Sequence, residues 1–260
     1  MNLAILGCGN IGGTIGRAIQ KPGGKICVVA VYDIDEKKAR RLAAQITPAP
    51  RVCKNVEELL KNGDADLVLE AASQEAVALY GKKIVESGKA LMVMSVGAFT
   101  DDALLKDLRK AAEKKKVKIY VPSGAVAGID GVKSASLGGL KKVTLTTRKN
   151  PKNLDVSVEE ETVLYEGSAR GGIKKYPKNV NVAATLSLAG IGLDKTVLRI
   201  IADPKTDKNT HEIVVEGVFG RFSVVMNNLP SPENPKTSYL AILSAMATLK
   251  RLSDPLEIGT

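Results

Sequence analysis

Hydrophobic and polar positions follow two different periods in the first half of the chain. Short apolar runs typical of buried strands occur at residues 3–6, 26–32, 67–71, 90–95 and 117–121. Segments with the spacing of amphipathic helices lie between them, at residues 11–20, 36–46, 56–61, 75–87 and 102–115. Regular alternation of strand and helix predicts an α/β domain, a doubly wound parallel sheet with helices on both faces.

The pattern changes after about residue 126. Strand-like segments now predominate, at residues 143–147, 162–165, 197–202, 212–216 and 221–226. Helical segments are predicted at residues 131–137, 168–176 and 180–189. This mixture predicts a second, α+β domain built on a mostly antiparallel sheet. We therefore expect a first domain over residues 1–126 and a second domain over residues 127–231.

The last part of the chain, residues 232–260, is predicted to be helical and to pack back on the first domain. Asn234 would cap this helix and Pro235 would occupy its first position, where proline is favoured. The apolar stripe would consist of Leu240, Leu243 and Ala247.

Composition excludes several classes of protein. The longest apolar run, residues 26–32, is far shorter than the roughly 20 residues of a membrane span, and no basic segment precedes the first apolar stretch, so neither a membrane helix nor a secretory signal is expected. The net charge is +10, but the lysines are scattered and only 3% of residues are aromatic, which argues against nucleic-acid binding. Three cysteines in no metal-site or disulfide spacing predict a reducing, cytoplasmic location and no metal.

A glycine-rich turn follows the first predicted strand and opens the first predicted helix. Gly7, Gly9 and Gly12 match the G-x-G-x-x-G pattern, with Asn10 and Ile11 between them. In this context the turn lets a pyrophosphate approach the backbone at a helix N-terminus. Asp33, at the end of the second strand, is placed to accept hydrogen bonds from a ribose, which predicts a Rossmann-type dinucleotide-binding domain.

The identity of the dinucleotide stays open at this point. The carboxylate of Asp33 favours NAD, because it would repel the 2′-phosphate of NADP. Lys37, Lys38 and Arg40 follow closely and could accommodate that phosphate. Further cofactor contacts are expected where parallel strands end, and these ends carry small or polar residues: Ala71, Ala72, Ser95, Gly97, Ser123, Gly124 and Ala125.

The chain has one histidine, His211. In a strand it would share an apolar face with Ile213 and Val215. It is either a core histidine bonded to the backbone or the acid/base group of a hydride-transfer enzyme, since imidazole titrates near neutral pH. Spacing alone leaves the two open.

Several further blocks resemble L-aspartate dehydrogenases. They span most of the chain, and several lie outside the generic nucleotide motif: residues 70–74, 95–99, 123–125, 146–149, 176–185, 209–213 and 233–238. The resemblance implies oxidative deamination of L-aspartate, through iminoaspartate, to oxaloacetate and ammonium with NAD or NADP, feeding NAD biosynthesis. It also implies that His211 is catalytic and that Ala125 and Asn181 lie near the nicotinamide.

The reaction also needs donors for two substrate carboxylates. Backbone N–H groups of residues 123–125 are one candidate, and the side chains of Lys174, Lys175, Lys178 and Lys236 are others. We expect Ser123, Gly124 and Lys236 to bind substrate, and the imidazole of His211 to lie at the mouth of a cleft between the domains. The antiparallel sheet could pair across a two-fold axis, so a homodimer is expected.

Two alternatives remain. A dihydrodipicolinate reductase has a similar architecture, although only Pro122, Ser123 and Gly124 match its Lys-x-Asp-x-Pro-Ser-Gly-Thr pattern. A nucleotide-sensing protein that holds NAD without turnover is the other.

Overall fold

The structure is a computed structural model that describes residues 1–21, 23–61, 64–176, 181–232 and 234–260; for residues 234–236 it describes the backbone alone. The chain forms two compact units. The first comprises Met1–Pro122 with Ala245–Glu257, and the second comprises Ser123–Ser244 with Ile258–Thr260. Within the described residues, no helix combines the length and the hydrophobicity that a membrane span requires.

The first unit contains a six-stranded parallel sheet. Its strands are β1 (Asn2–Leu6), β2 (Cys27–Tyr32), β3 (Arg51–Val52), β4 (Leu67–Glu70), β5 (Ala90–Val93) and β6 (Ile119–Tyr120). Its helices are α1 (Asn10–Ile19), α2 (Glu36–Ala43), α3 (Val56–Lys61), α4 (Gln74–Glu86) and α5 (Asp102–Lys115). The strand order β3-β2-β1-β4-β5-β6 reverses direction at β1, which confirms the predicted doubly wound sheet.

The central strands of this sheet are apolar on both faces, because helices cover both. Leu3, Ile5, Leu69 and Leu91 are completely buried. Such continuous apolar runs are typical of parallel sheets and made these strands recognisable in the sequence. The apolar run at residues 90–95 is shorter as a strand than predicted, since Ser95 begins a short 3₁₀ helix, Val96–Thr100.

The second unit contains a five-stranded mixed sheet. Its strands are β7 (Leu140–Lys149), β8 (Thr162–Ser168), β9 (Val197–Ala202), β10 (Asn209–Gly217) and β11 (Gly220–Asn228). Its helices are α6 (Ile129–Leu137), α7 (Ala169–Lys175) and α8 (Asn181–Ala189). The order is β11-β10-β7-β9-β8, with one parallel pair, β7 and β9, among antiparallel ones. The mostly antiparallel second domain is confirmed.

The segment before the last helix differs from the sequence prediction. Instead of a helix starting at Asn234, the chain forms a two-stranded ribbon, β12 (Pro230–Ser231) and β13 (Asn234–Ser238), and the helix α9 follows at Tyr239–Arg251. The residue before a proline is extended both at a helix N-cap and in a strand, so the Asn-Pro signal fits either structure, and here Asn234 pairs with Ser231.

The apolar stripe of α9 is also not the predicted one. Leu243 is 39% exposed, whereas Ile242, Ala245 and Leu249 are buried at helical spacing. The buried stripe is displaced by two positions along the helix, because a helix this rich in alanine and leucine offers two apolar faces and only packing selects one.

Candidate active site

The glycine-rich turn joins β1 to α1 and leaves room for a ligand above one glycine. A Cβ on Gly7 would lie 2.7 Å from the backbone of Ala71, and one on Gly12 would lie 2.0 Å from the carbonyl oxygen of Gly7. A Cβ on Gly9 would meet nothing within 4 Å. Gly7 and Gly12 therefore serve close packing, whereas the space above Gly9 is open.

Gly9 is also the N-cap residue of α1. Because glycine has no side chain, Gly9 cannot bond the first N–H groups of the helix. The N–H groups of Asn10, Ile11 and Gly12 belong to this first turn, where a helix attracts an anion. The residues present thus fit a pyrophosphate, and the predicted roles of Gly7 and Gly12 in shaping the turn agree with the geometry.

Asp33 lies beside this turn at the end of β2. Its Oδ2 accepts a hydrogen bond of 2.7 Å from the N–H of Cys8, and its Oδ1 accepts one of 2.8 Å from the N–H of Asp35. The carboxylate is therefore held in a fixed orientation next to the glycine turn. This fixed position suits a carboxylate that accepts hydrogen bonds from a ribose.

A groove of about 180 Å³ adjoins Asp33; it is open to solvent and smaller than a typical enclosed small-molecule site. Its lining includes Ile34, Leu79 and Tyr80. Ile34 is 95% exposed and Leu79 is 56% exposed, unusual for large apolar side chains at neighbouring positions. A flat apolar ring such as adenine would cover them.

The loops after β4 and β5 are tied together by a buried carboxylate. Glu70 is completely buried, and it accepts hydrogen bonds from the N–H of Ala72 and from both the N–H and the hydroxyl of Ser95. Burial raises the pKa of Glu70, partly offset by these hydrogen bonds. The polar groups of Ser95 thus bond to Glu70, and Ser95 shapes the loop that also carries the buried Gly97.

His211 lies in β10 with its side chain on the buried face of the second sheet. The register pairs it with Thr147 of β7 on one side and with Met226 of β11 on the other. All three are buried. Toward the C-terminal end of β10 the paired rows on this face are apolar, for example Ile213 with Leu145.

The imidazole is bonded and strongly desolvated. Its Nδ1 lies 3.0 Å from the hydroxyl of Thr147. Burial, together with the positive charge of Lys149, lowers the pKa of His211 to about 3, so the ring is neutral at physiological pH. Only 3% of the residue is exposed. The imidazole lies on the packed face of the sheet, because side chains alternate along a strand, and its expected place at the mouth of a cleft stays a prediction.

A second polar row lies beside that of His211. Asn209 pairs with Asn228, and Lys149 follows Arg148, which pairs with Thr210. Lys149 is 8% exposed and Asn209 is 1% exposed. Burial lowers the pKa of Lys149 to about 8. A cationic side chain and two amides thus stand next to the histidine at one end of an otherwise apolar face.

The turn at residues 123–125 reaches this polar end. The carbonyl oxygen of Ala125 accepts a hydrogen bond of 2.9 Å from the side-chain amide of Asn228. Asn228 thus links the Ala125 turn to the end of the sheet that carries Asn209, and the role of Ala125 at the nicotinamide stays a prediction. The N–H of Gly124 donates to the hydroxyl of Ser244 at 3.0 Å and is thus already bonded within the chain.

For the other predicted substrate and cofactor residues the structure gives positions only, and their roles stay predictions. Asn181 is exposed at the start of α8, and Lys174 and Lys175 are exposed on α7. Lys178 and the side chain of Lys236 lie outside the described residues.

Several site residues were missed by sequence reasoning. Thr147 and Lys149 continue the alternation of Val143 and Leu145 along β7, and Asn209 precedes His211 by two positions. Extending each apolar alternation to the end of its strand would have placed all three beside the histidine. Asn228 and Glu70 gave a weaker signal, a polar residue at the last position of a strand.

No cluster of metal ligands is found in the described part of the chain, where no three histidine, cysteine or acidic residues converge. Cys8, Cys27 and Cys53 are free. Burial and the nearby charge of Asp33 raise the pKa of the Cys8 thiol to about 12, so that it stays protonated at neutral pH.

Comparison with known families and structures gives consistent matches over both units. The model "Aspartate dehydrogenase, C-terminal" matches residues 130–252, and the model "Homoserine dehydrogenase, NAD binding domain" matches residues 7–122. The chain is 48% identical over 272 residues to an L-aspartate dehydrogenase of Methanosarcina barkeri, with 100% of both chains covered. It is 41% identical to one of Nitrosopumilus maritimus, with 99% of both covered.

A solved structure matches as well. The aspartate dehydrogenase of Thermotoga maritima superposes with a TM-score of 0.82 at 28% identity, covering 100% of this chain and 99% of that one. Full-length identity above 40% together with matching models for both halves settles the relationship, and the chain belongs to the aspartate dehydrogenase family.

Proposed function

We propose that this protein is an L-aspartate dehydrogenase. L-Aspartate, water and NAD⁺ or NADP⁺ give oxaloacetate, ammonium, the reduced coenzyme and a proton. The observation that carries the proposal is the 48% identity over the full length to a protein named L-aspartate dehydrogenase. The geometry supports it, since a dinucleotide turn and a desolvated histidine are both present.

The first unit supplies the coenzyme site. The turn with Gly7, Gly9 and Gly12 would hold the pyrophosphate through the N–H groups of Asn10 and Ile11. Asp33 would accept hydrogen bonds from the adenosine ribose, which favours NAD. When bound, the coenzyme supplies a hydride acceptor for the Cα hydrogen of the substrate. Ala71, Ala72, Gly97, Ala125 and Asn181 are proposed as further coenzyme contacts.

His211 is proposed as the group that moves protons. With its proton on Nδ1, the ring donates to the hydroxyl of Thr147, and Nε2 then presents a lone pair. Nε2 would accept a proton from the water that attacks the imine carbon of iminoaspartate. Because burial disfavours imidazolium, the ring would pass that proton on at once, toward the departing amine.

The burial of His211 affects how easily it takes up a proton. Only 3% of the residue is exposed, so the ring is held away from water. A bound dicarboxylate would bring negative charge next to the ring and raise its pKa, which makes proton uptake easier in the complex than in the free protein.

A coupled absorbance assay tests the function. L-Aspartate and NAD⁺ are added at alkaline pH, and the near-ultraviolet band of NADH is followed. A steady rise that requires L-aspartate is expected. A silent assay, with reduction of dihydrodipicolinate instead, would indicate the reductase. Coenzyme binding without turnover of any amino acid would indicate a sensor.

The wider setting is part of the proposal. Delivery of iminoaspartate or oxaloacetate to NAD biosynthesis is inferred from the family, and a cytoplasmic location is supported by three free cysteines. A homodimer could form at β11, an edge strand with Val225 56% exposed. We expect no nucleic-acid or membrane partner.

A further inference from the structure

Two buried polar side chains next to His211 have no part in the proton transfers. Lys149 is 8% exposed, and Asn209 is 1% exposed. Neither Oδ1 nor Nδ2 of Asn209 has a hydrogen-bond partner within the described residues. A buried amide left in this state destabilises a fold, so its presence suggests that something outside the chain bonds to it.

We propose that Lys149 and Asn209 form the subsite that binds a carboxylate group of the substrate beside His211. This inference rests on the proposed function and names the residues that recognise the substrate class. At least one of the two substrate carboxylates would then be bound by Lys149 and Asn209 and not by the exposed lysines of α7.

The strand register puts the two side chains together. Thr210 pairs with Arg148, so Asn209, one residue earlier, and Lys149, one residue later, reach the same end of the β7–β10 pair. Both side chains are on the buried face. In such a pair, Lys149 is also the diagonal neighbour of His211, at a separation of roughly 7–8 Å. A carboxylate between Lys149 and Asn209 leaves the adjoining carbon atoms within reach of the imidazole.

The chemistry of the pair matches a carboxylate. An ammonium group and an amide N–H₂ together offer donors to two oxygens, and charge-assisted hydrogen bonds are strongest where water is excluded. Burial lowers the pKa of Lys149 to about 8, and a bound anion would counter that effect. A protonated amine would be repelled by this charge, and a neutral amide would gain less from it than a carboxylate does.

The test measures binding of succinate, a dicarboxylate that cannot be oxidised here, to the full-length protein saturated with NADH. Isothermal titration calorimetry gives the affinity, and the NMR signals of the one histidine report contact with the site. Lys149→Met is expected to weaken succinate binding roughly 10- to 100-fold, and Lys149→Arg to restore part of it. Lys142→Met is the matched control, because Lys142 lies exposed on the same strand.

Asn209→Leu separates recognition from a structural role. A structural amide would lose stability on this change. If Asn209 instead belongs to the subsite and has no partner among the described residues, the variant loses succinate affinity about 10-fold, while the melting temperature stays or rises. Two results would overturn the subsite. One is that Lys149→Met and Asn209→Leu bind succinate with wild-type affinity, and the other is that the wild type does not bind succinate.

Failure of the subsite and failure of the proposed function can be told apart. If the wild type oxidises L-aspartate and Lys149→Met does so with an unchanged KM, only the subsite is wrong. If the wild type binds succinate through Lys149 but never oxidises L-aspartate, the subsite stands and the proposed reaction is wrong.

Discussion

The Nδ1 atom of His211 lies 3.0 Å from the hydroxyl oxygen of Thr147, across the paired strands β10 and β7. The hydroxyl can accept from Nδ1–H, and this leaves Nε2 without a proton. A hydrogen bond of this kind decides which nitrogen of a histidine is free for chemistry. The base proposed here thus depends on a threonine of a neighbouring strand.

Replacing Thr147 by valine should disturb the tautomer of His211 while keeping a side chain of similar size. We expect kcat to fall about 10-fold, with Thr147→Ser recovering most of it, because proton transfer depends on the orientation of the base. The ¹⁵N shifts of the one imidazole report the tautomer directly. A valine variant with wild-type shifts and wild-type kcat would contradict the positioning role.

Removal of the imidazole itself should have a larger effect. His211→Ala is expected to lower kcat by roughly 10²–10⁴, since that is the usual contribution of a general acid/base. NADH binding, measured by fluorescence, should remain at the wild-type level and serves as the control for folding. Unchanged turnover in this variant would remove His211 from the mechanism.

The ionisation of His211 predicts the acid sensitivity of the free protein. Its pKa is lowered to about 3 in the folded chain, against 6.5 for an unperturbed histidine. Between these values the unfolded chain takes up a proton and the folded chain does not. The free energy of unfolding therefore falls as the pH drops from 6.5 toward 3.

Two measurements check this expectation. The histidine ring protons should not titrate in NMR spectra between pH 8 and 5, a range inside the window set by the lowered pKa. His211→Gln should lose less stability over that range than the wild type. The contribution of the carboxylates is the same in both proteins, so the difference between them comes from the histidine. An NMR titration midpoint near the ordinary pKa of histidine would show that the ring is solvated.

The turn before α1 allows a test that separates folding from coenzyme binding. Gly9→Ala should fold normally, because its backbone angles (φ −71°, ψ −161°) suit alanine and the new Cβ meets nothing within 4 Å. NAD⁺ affinity should drop at least about 10-fold, since the methyl group occupies the approach of the pyrophosphate. Thermal melting and calorimetric titration give the two quantities.

Gly138→Ala, in the second unit, is the matched control. Its φ is −89°, and its new Cβ has only a carbonyl oxygen at 3.7 Å. Wild-type NAD⁺ affinity in both glycine variants would show that the pyrophosphate lies elsewhere.

Asp33 should set the preference between the two coenzymes. Asp33→Asn keeps an oxygen that can accept from the N–H of Cys8 but removes the charge that repels a 2′-phosphate. The ratio of kcat/KM for NADP⁺ to that for NAD⁺ should rise about 10-fold or more. Asp35→Asn, at the exposed N-cap of α2, should leave the ratio unchanged. If the wild type, Asp33→Asn and Asp35→Asn all show the same coenzyme ratio, the adenosine ribose does not bind at Asp33.

Local pattern was enough to predict the fold and the family. Apolar runs that are buried on both faces are visible in the sequence, and so are the glycine turn and Asp33 at the end of β2. These features depend on neighbours a few residues away along the chain. The blocks that resemble aspartate dehydrogenases could be read for the same reason.

Tertiary structure alone decided the surroundings of His211. Lys149 and Asn209 are 60 residues apart in sequence, and the register of β7 with β10 makes them neighbours. That register also buries the imidazole, and burial is what lowers its pKa. Desolvation depends on everything packed around a group, so no local pattern could reveal that the histidine is neutral, bonded to Thr147 and covered.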